Sequence, residues 1–542
     1  MSADMTTDRC NVLMIAPLFV NGSFWNCRAM CELFGARYTA PPLGLITVAA
    51  MLPKEWTVRL VDRNIENVTD SDFAWADLVM TGGMLPQQYD TLAVMELARR
   101  HGRPCAVGGP DVTQSPHLYA SGEFLVLGEA ESVIDDFIAA WRAGVRRGTF
   151  EAPKFQADVT RSPTPRYDLL KHRYYTRIGI QYSRGCPFNC EFCDIIELFG
   201  RRPRTKTVEQ MLTEMQSVFD LGYRGWIEVV DDNLIGNKKN VKEFLRALVE
   251  WQKAHDYPFE FGTQASVNLA DDAELLDLMK KAGFGIVFIG VESPEEDVLI
   301  GMQKKQNAHR DLVRDIHRIY KSGIWVIAGM IAGFDHEKHS VAGPIMDFIE
   351  DAAIPLPYIG LLYALPNTQL TRRLRIEGRL HKDADVDPRE DAAGLNFETR
   401  RDRREILADF RDIHDRLYSP KAFSARVCRV AAMLDLSGPI GRISRSRLGP
   451  DMKKLVLVLW NITRKHPEFR GLFWKTLLAV ARKNPRALKP ALIMLAFYMH
   501  MGPFARSLVK KTDREMEMLQ SSEKDYRPLE SLIAIAPARL SQ

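Results

Sequence analysis

The chain has 542 residues, 46% hydrophobic and 26% charged, which excludes a disulfide-stapled miniprotein or a disordered tail and leaves length for about three domains. Its net charge of +4 hides an asymmetry: from residue 421 onward there are 23 Lys and Arg against 9 Asp and Glu, so a basic module follows an acidic body. The polar start, Met1 to Arg9, and the break of the next apolar stretch at Pro17 give no secretory signal, and a cytosolic protein is expected.

Residues 11 to 145 alternate apolar strand-like runs (NVLMIAPL, TVRLVD, DLVMTGG, PCAVGGP, FLVLGE) with helix-length segments (PPLGLITVAAMLP, TLAVMELARRHG, ESVIDDFIAAWRAG). This is the rhythm of an open parallel α/β sheet, a Rossmann-like domain over residues 1–150. Such sheets bind ligands beyond the C-terminal strand ends, where Asp62, Thr81, Gly82, Gly108, Gly109, Gly128 and Glu129 fall. Glycine there lets a bulky ligand approach the backbone, and turn glycines common to any such sheet are the plainer reading.

Arg147 to Arg166, with three prolines, reads as a linker. Six further strand candidates follow: IGIQYSR, WIEVVDD, FEFGTQASV, GIVFIGVES, WVIAGMIAGFD and YIGLLYALP. Six β-α repeats over about 200 residues are too few for an eightfold barrel, so residues 151–390 are read as a partial (β/α)6 barrel with its site at the strand C-termini. Residues 391–542 read as a basic helical C-terminal domain. Its apolar and aromatic residues interleaved with Lys and Arg suit either an anionic membrane surface or a helical cap on the barrel. Its longest apolar run, Ala491 to Met499, has about half of the ~20 residues that a membrane span needs, and no reader motif points to nucleic acid.

Of eight cysteines, three are clustered: Cys186, Cys190 and Cys193 form C-x3-C-x2-C directly after the first strand of the second series. Converging thiolates select zinc or an iron–sulfur cluster. A structural zinc site closes with four ligands, and no fourth Cys or His follows at metal-ligand spacing. Three ligands on a four-iron cluster leave one iron open. Cys27 and Cys31 share a helix face and are read as buried apolar thiols, as are Cys10, Cys105 and Cys428. Arg201 to Lys206 reads as a polar loop near the cluster, suited to a carboxylate or phosphate.

The cysteine spacing resembles the signature of radical S-adenosylmethionine (SAM) enzymes, in which three cysteines hold a [4Fe–4S] cluster and SAM chelates the unique iron. GMIAGFD, with Gly329, Ile331 and Gly333, is similar to that family's strand beside the SAM adenine, although Asp335 stands where many members have Glu. Asp231 and Asp232 stand at the second-strand end, where many members hold the SAM amino group with a different motif. Glu292, in GVES, is placed for the polar part of SAM. For these acids, capping of the following helices is the alternative. The N-terminal sheet resembles that of the cobalamin-binding class, on PPLGLITVAA, Gly108 to Pro110 and GEAES. No D-x-H-x-x-G occurs, so the resemblance implies cobalamin without a lower histidine ligand. QYSRGCPFNCEFCDII, GRRPRTKT, VDDNLIGNKK, FIGVESP, LLYALPNTQLTRRL and GLNFET resemble the hopanoid C-2 methylase subgroup.

The resemblance implies a cobalamin-dependent C-methyltransferase acting at an unactivated carbon of a hydrophobic, hopanoid-like polycycle. It uses a [4Fe–4S] cluster, SAM, cobalamin and a reductant such as flavodoxin or ferredoxin. The C-terminal module offers a peripheral contact with the inner face of the membrane, and Tyr358 to Pro366 is expected to line an apolar cleft. A cyclase, a methyltransferase for a tetrapyrrole, peptide or antibiotic, and a cobalamin sensor are the competing readings. No protein group is assigned a catalytic role.

Overall fold

The computed structural model describes residues 9–381 apart from 21, together with 394–438 and 447–521. The boundary read at Asp391 and the polar start up to Asp8 fall outside them.

The first sheet has strands β1 (Asn11–Ala16), β2 (Thr57–Asp62), β3 (Leu78–Gly82), β4 (Cys105–Gly108), β5 (Phe124–Leu127) and β6 (Gly148–Glu151), in the order β2-β1-β3-β4-β5-β6. All pairs are parallel. β1 reads NVLMIA because helices cover both faces, and five of its six residues are buried. The order reverses between β1 and β3, which opens a crevice at their C-terminal ends. β6 corrects the sequence reading: it lies where the linker and the boundary at residue 150 were placed. Its four residues, GTFE, alternate between half-buried and exposed, too short and too polar a signal against the prolines that follow.

The second sheet runs in chain order: β7 (Arg177–Ile180), β8 (Gly225–Val229), β9 (Phe259–Ala265), β10 (Phe284–Glu292), β11 (Trp325–Ala332) and β12 (Leu356–Leu361). Every pair is parallel and a helix follows each strand, as in a (β/α)6 partial barrel. The first of these helices, Val208–Asp220, starts at a capping box: Gln210 N donates to Thr207 Oγ1 at 3.2 Å and Thr207 N to Gln210 Oε1 at 2.9 Å.

A six-stranded barrel leaves β7 and β12 as edges, and the N-terminal segment fills the gap. Thr176 N donates to Tyr38 O and Arg177 N to Thr39 O, both at 3.1 Å, so residues 38–39 run along β7. On the other edge Phe24 stacks on Tyr358 of β12 at 5.3 Å. Phe24, Cys27, Met30, Cys31, Leu33 and Ala36 therefore belong to the barrel core, although the sequence reading placed them in the first domain.

Among the described residues of the C-terminal region five long helices occur: Arg403–Leu417, Pro420–Met433, Leu448–Lys465, Pro467–Lys483 and Leu488–Ser521. They are docked on the barrel by buried polar contacts. Arg426, fully buried, donates to Glu350 at 2.6 Å and to Leu417 O at 2.5 Å, and Tyr418 Oη donates to Pro357 O at 2.8 Å. Arg447 and Lys489 each reach Glu260 of β9 at 2.7 Å. Burial works against that carboxylate's charge, but the two cations outweigh it and hold its pKa at about 2. The stretch Pro485–Leu519 is long and apolar enough to cross a membrane by length and composition, which the single short run noted in the sequence did not suggest. In the fold 61% of that apolar window is buried against the rest of the protein.

His414 is buried, with Nε2 donating to Ile359 O at 3.1 Å, and burial pushes its pKa down to about 4. An unfolded histidine titrates near 6.5. The unfolded chain then holds a proton between pH 6.5 and 4 that the native chain does not, so the stability from neutral His414 is full above about 6.5. It falls by up to ~3 kcal/mol as the pH drops toward 4. In urea unfolding at pH 7.5 and 5, His414→Gln should lose less stability on acidification than the wild type; equal losses would remove His414 as the cause.

Candidate active site

Beyond β7 the chain pairs Ser183–Arg184 antiparallel with Arg204–Thr205, and the loop between them carries Cys186, Cys190 and Cys193. Gly185 opens it at φ +93°, where a Cβ would stand 3.0 Å from the carbonyls of Gly200 and Arg202. Asp231, at the end of β8, holds the loop in place. Its Oδ1 accepts from Tyr182 N at 2.7 Å, and its Oδ2 from Ser183 N at 2.7 Å and Ser183 Oγ at 2.5 Å. With both oxygens occupied and no exposure, Asp231 is a positioning residue for the cysteine loop. The sequence reading assigns it to the SAM amine; in the structure the donors on its two oxygens come from Tyr182 and Ser183.

No disulfide joins the three cysteines; Cys190 is buried and the other two half-buried. Asn233 Nδ2 lies 3.9 Å from Cys186 Sγ and Gln306 Nε2 3.6 Å from Cys190 Sγ, so weak N–H···S donors face two of the sulfurs. Desolvation raises the thiols of Cys186 and Cys193 above their ordinary range, and a bound cation is what would make them thiolates. Among the described residues no three His, Cys, Asp or Glu converge closely enough for a single metal ion. Three thiols on one loop, two of them met by N–H donors, suit an iron–sulfur cluster.

Glu292 is at the end of β10, where the register to β11 shifts between Gly290 and Glu292 and its own φ is +66°. The bulge turns the carboxylate onto Lys304 at 2.6 Å, and the pair lies buried beside the cysteines. On β11, Gly329 faces Phe288, whose ring a Cβ would approach to 2.8 Å, and Gly333 takes φ +101° under Leu395. The amides of Gly333 and Phe334 donate to Glu337 Oε1 at 2.8 and 3.1 Å, so Glu337 shapes the strand end. Asp335 is instead bound by Arg373 at 2.8 Å and Arg379 at 2.6 Å.

A cavity of about 1660 Å³ runs from the C-terminal ends of the first sheet through the barrel interior to the C-terminal helices. Asp62, Thr81, Gly82, Gly108, Gly109, Gly128 and Glu129 all line it, as do Asp232 and Ile331 of the barrel. The three cysteines, Asp231, Glu292, Gly329 and Gly333 stand outside the lining, but Phe192 and Asp194 of the cysteine loop are part of it. Burial, followed by the charges of Asp231 and Asp194, lifts the Asp232 carboxyl to about 7. Trp25, Phe288 and Tyr358 form an aromatic wall, with Trp25 5.5 Å from Phe288 and 5.3 Å from Tyr358. Tyr358, Leu361, Leu362, Tyr363 and Leu365 of the last strand and its loop are in the lining, and Cys27, read only as a core thiol, is there too.

Several polar groups of the first sheet carry local work that the sequence did not reveal. Thr81 Oγ1 donates to Ile15 O at 2.8 Å, and Asp62 accepts from Asn64 and, at 2.8 Å, from Tyr175 Oη. A Cβ on Gly82 would meet Gly108 O at 2.1 Å, so that glycine serves close packing of neighbouring strand ends as well as any ligand. Glu129 is gripped by Arg184 at 3.0 Å and Arg204 at 2.8 Å, and Arg184 also binds Glu131 at 2.6 Å, all with side chains less than one-sixth exposed. This ion-pair knot ties the first sheet to the cysteine loop. Arg204 thus gives the Arg201–Lys206 loop its carboxylate partner; Arg184 and Glu131, inside the motifs SRGC and GEAES, were not singled out.

A C-x3-C-x2-C loop after the first strand of a six-stranded parallel barrel, next to a large cavity, defines a radical SAM enzyme. Residues 180–349 match the radical SAM superfamily and residues 368–514 match a domain of unknown function, DUF4070. An uncharacterized methyltransferase of Synechocystis sp. is 40% identical, over 92% of this chain and 92% of its own. The hopanoid C-2 methylase of Rhodopseudomonas palustris is 36% identical, over 86% of this chain and 88% of its own. The chain therefore belongs to the radical SAM superfamily, in the methyltransferase branch that these two relatives share. Its fold is similar to that of OxsB, a cobalamin-dependent SAM radical enzyme solved with aqua-cobalamin bound, at TM-score 0.59 and 14% identity over 94% of this chain and 81% of that one.

Removing one partner of a buried ion pair strands the other, which costs about 3–5 kcal/mol. Arg184→Ala leaves Glu131 without its guanidinium and should lower unfolding stability by about that amount, read from denaturant midpoints. A loss below ~1 kcal/mol would show that the knot does not hold the two sheets together.

Proposed function

We propose that this protein is a cobalamin-dependent radical SAM C-methyltransferase that methylates an unactivated carbon of a hydrophobic polycyclic lipid, with C-2 of a hopanoid as the position best supported. The observation that carries the reading is the cavity itself: one end meets the cysteine loop and the polar strand ends, and the remainder is walled by aromatic and aliphatic side chains. At about 1660 Å³ it exceeds the ~300–1,000 Å³ of an ordinary small-molecule site, leaving room for more than one guest. The 36% identity to the hopanoid C-2 methylase favours a polycyclic lipid as one of them.

When bound, the cluster with SAM supplies hydrogen-atom abstraction and cobalamin supplies the methyl group. The chain's part is to hold and orient. Cys186, Cys190 and Cys193 hold the cluster, and Asn233 and Gln306 donate to the Sγ atoms of Cys186 and Cys190. Asp232, Ile331, Gly329, Gly333 and Glu292 form the SAM side. Asp62, Thr81, Gly82, Gly108, Gly109, Gly128 and Glu129 form the cobalamin side. Trp25, Phe288 and Tyr358 present apolar faces that exclude water and favour a hydrocarbon ring, where no acidic proton or nucleophile is needed. We place the enzyme in the cytosol, drawing electrons from a flavodoxin or ferredoxin, with its C-terminal helices as the part that meets a membrane.

Lipids from a hopanoid-making host expressing the wild-type chain should contain hopanoids one methyl heavier, with the label derived from methionine, and Cys190→Ala should abolish them. Unchanged hopanoids with a wild-type protein that holds its cluster and cobalamin and cleaves SAM would move the reading to a tetrapyrrole, peptide or antibiotic substrate, or to a cyclisation, which adds no carbon. Among the described residues no histidine lines the cavity. With the cofactor's own benzimidazole also displaced from cobalt, cobalamin bound to the purified protein and reduced to the cob(II)alamin state should give an electron paramagnetic resonance spectrum without nitrogen splitting; splitting, from a histidine or from the benzimidazole, would overturn this arrangement.

A further inference from the structure

The Leu448–Lys465 and Pro467–Lys483 helices pack against each other and present apolar residues outward. Leu448, Met452, Val456 and Trp460 recur at four-residue steps along one face of the first helix, and each is exposed, Val456 by 58% and Trp460 by 56%. On the second helix Arg470, Trp474, Leu478 and Arg482 repeat the same step, with Leu478 52% exposed. A soluble face rarely carries so many large apolar side chains in register.

Two further observations say what covers this face. First, Leu448, Met452, Trp474, Leu478 and Leu488 are both exposed and part of the cavity lining, so the patch is the rim of the cavity's mouth. Second, its charge is predominantly positive. The exposed ionisable residues around it include Lys453, Arg464, Arg470, Lys475, Arg482 and Arg486, against the acid Glu468. The Arg464 guanidinium lies over the Trp460 ring at 4.4 Å, a cation held at the edge of an apolar surface. Tryptophan flanked by arginine and lysine is the composition of a helix that lies in a lipid headgroup region, where the rings enter the acyl boundary and the cations meet phosphates.

We infer that this two-helix face docks on an anionic lipid bilayer and seats the cavity mouth on the membrane, so that an apolar substrate passes from acyl chains to the site without crossing water. Docking follows from the exposed ladders and their charge. Only the direction of substrate traffic rests on the lipid-methylation reading.

The full-length holoenzyme is tested by co-sedimentation with vesicles of mixed phosphatidylglycerol and phosphatidylcholine, and with phosphatidylcholine alone, at low and high salt. The wild type should bind the anionic vesicles, at least about tenfold more strongly than the neutral ones, and salt should weaken that binding. Val456→Glu/Trp460→Glu, at two positions outside the cavity lining, should weaken it by about tenfold or more while leaving turnover of detergent-dispersed substrate unchanged. Lys475→Glu/Arg482→Glu should remove the preference for anionic lipid, which keeps the test open should the first variant fold poorly. Absence of wild-type binding at low salt, or equal binding by both variants, would overturn the docking. So would a dimer, seen by light scattering, that Val456→Glu/Trp460→Glu dissolves while vesicles are ignored, since a second copy would then cover the face. Vesicle binding is read without turnover, so docking can fail while methylated lipid still forms, and methylation can fail while docking stands.

Discussion

The guanidinium of Arg184 is the point on which the arrangement of the molecule turns. It stands two residues before the first cysteine, and it is held by two carboxylates, Glu129 and Glu131, from the loop that ends β5 of the other sheet. Arg204, from the far side of the cysteine loop, takes the second oxygen of Glu129. In so buried a place an unmatched charge is severely destabilising, so the three-way pairing tolerates little relative movement. The loop and the strand ends across from it thus behave as one piece, and the distance between whatever each holds is set by the protein rather than by its guests.

The second constraint is the open barrel. Six strands cannot close on themselves, and an unpaired edge beside an apolar interior would admit water and other chains. Phe24 to Thr39 and the C-terminal helices fill that gap with a ring stack on β12, a short strand-like run along β7 and the bonds of Tyr418 and His414 to the β12 carbonyls of Pro357 and Ile359. Because the filler is side chains and helices instead of strands, the interior stays wide and reaches past the barrel. The size of the cavity and its greasy wall are both products of an incomplete cylinder.

Much of this was readable from the chain. The cysteine triplet, the strand rhythm and the six-strand count depend on local spacing, and local spacing survives folding. Asp231 and Asp232 show where reading stops: adjacent acids on a strand end point to opposite sides, so one disappears under the cysteine loop and the other faces the cavity, and nothing in DD tells which. Glu129 lines the cavity, but its two arginines come from positions 184 and 204, a partnership only the fold reveals. β6 was hidden by its own brevity. The interleaved basic and apolar residues near the C-terminus suited a cap and a membrane face equally, and the helices show why: Phe473 and Val480 are buried in the protein while Trp474 and Leu478 are exposed.

His500 Nε2 lies 3.0 Å from the carbonyl of Ser23, and Asn461 Nδ2 donates to the carbonyl of Leu33 at 3.4 Å. Each contact spans more than 400 residues, so the segment that seals the barrel edge near the start of the chain gains its last partners only when the final helices exist. Local β-α units can form as the ribosome releases them, but loop-closure entropy delays the sealing step until synthesis is nearly over. For most of the chain's emergence the future active-site cavity is therefore an open trough, in which large cofactors have unhindered access before the last wall swings into place.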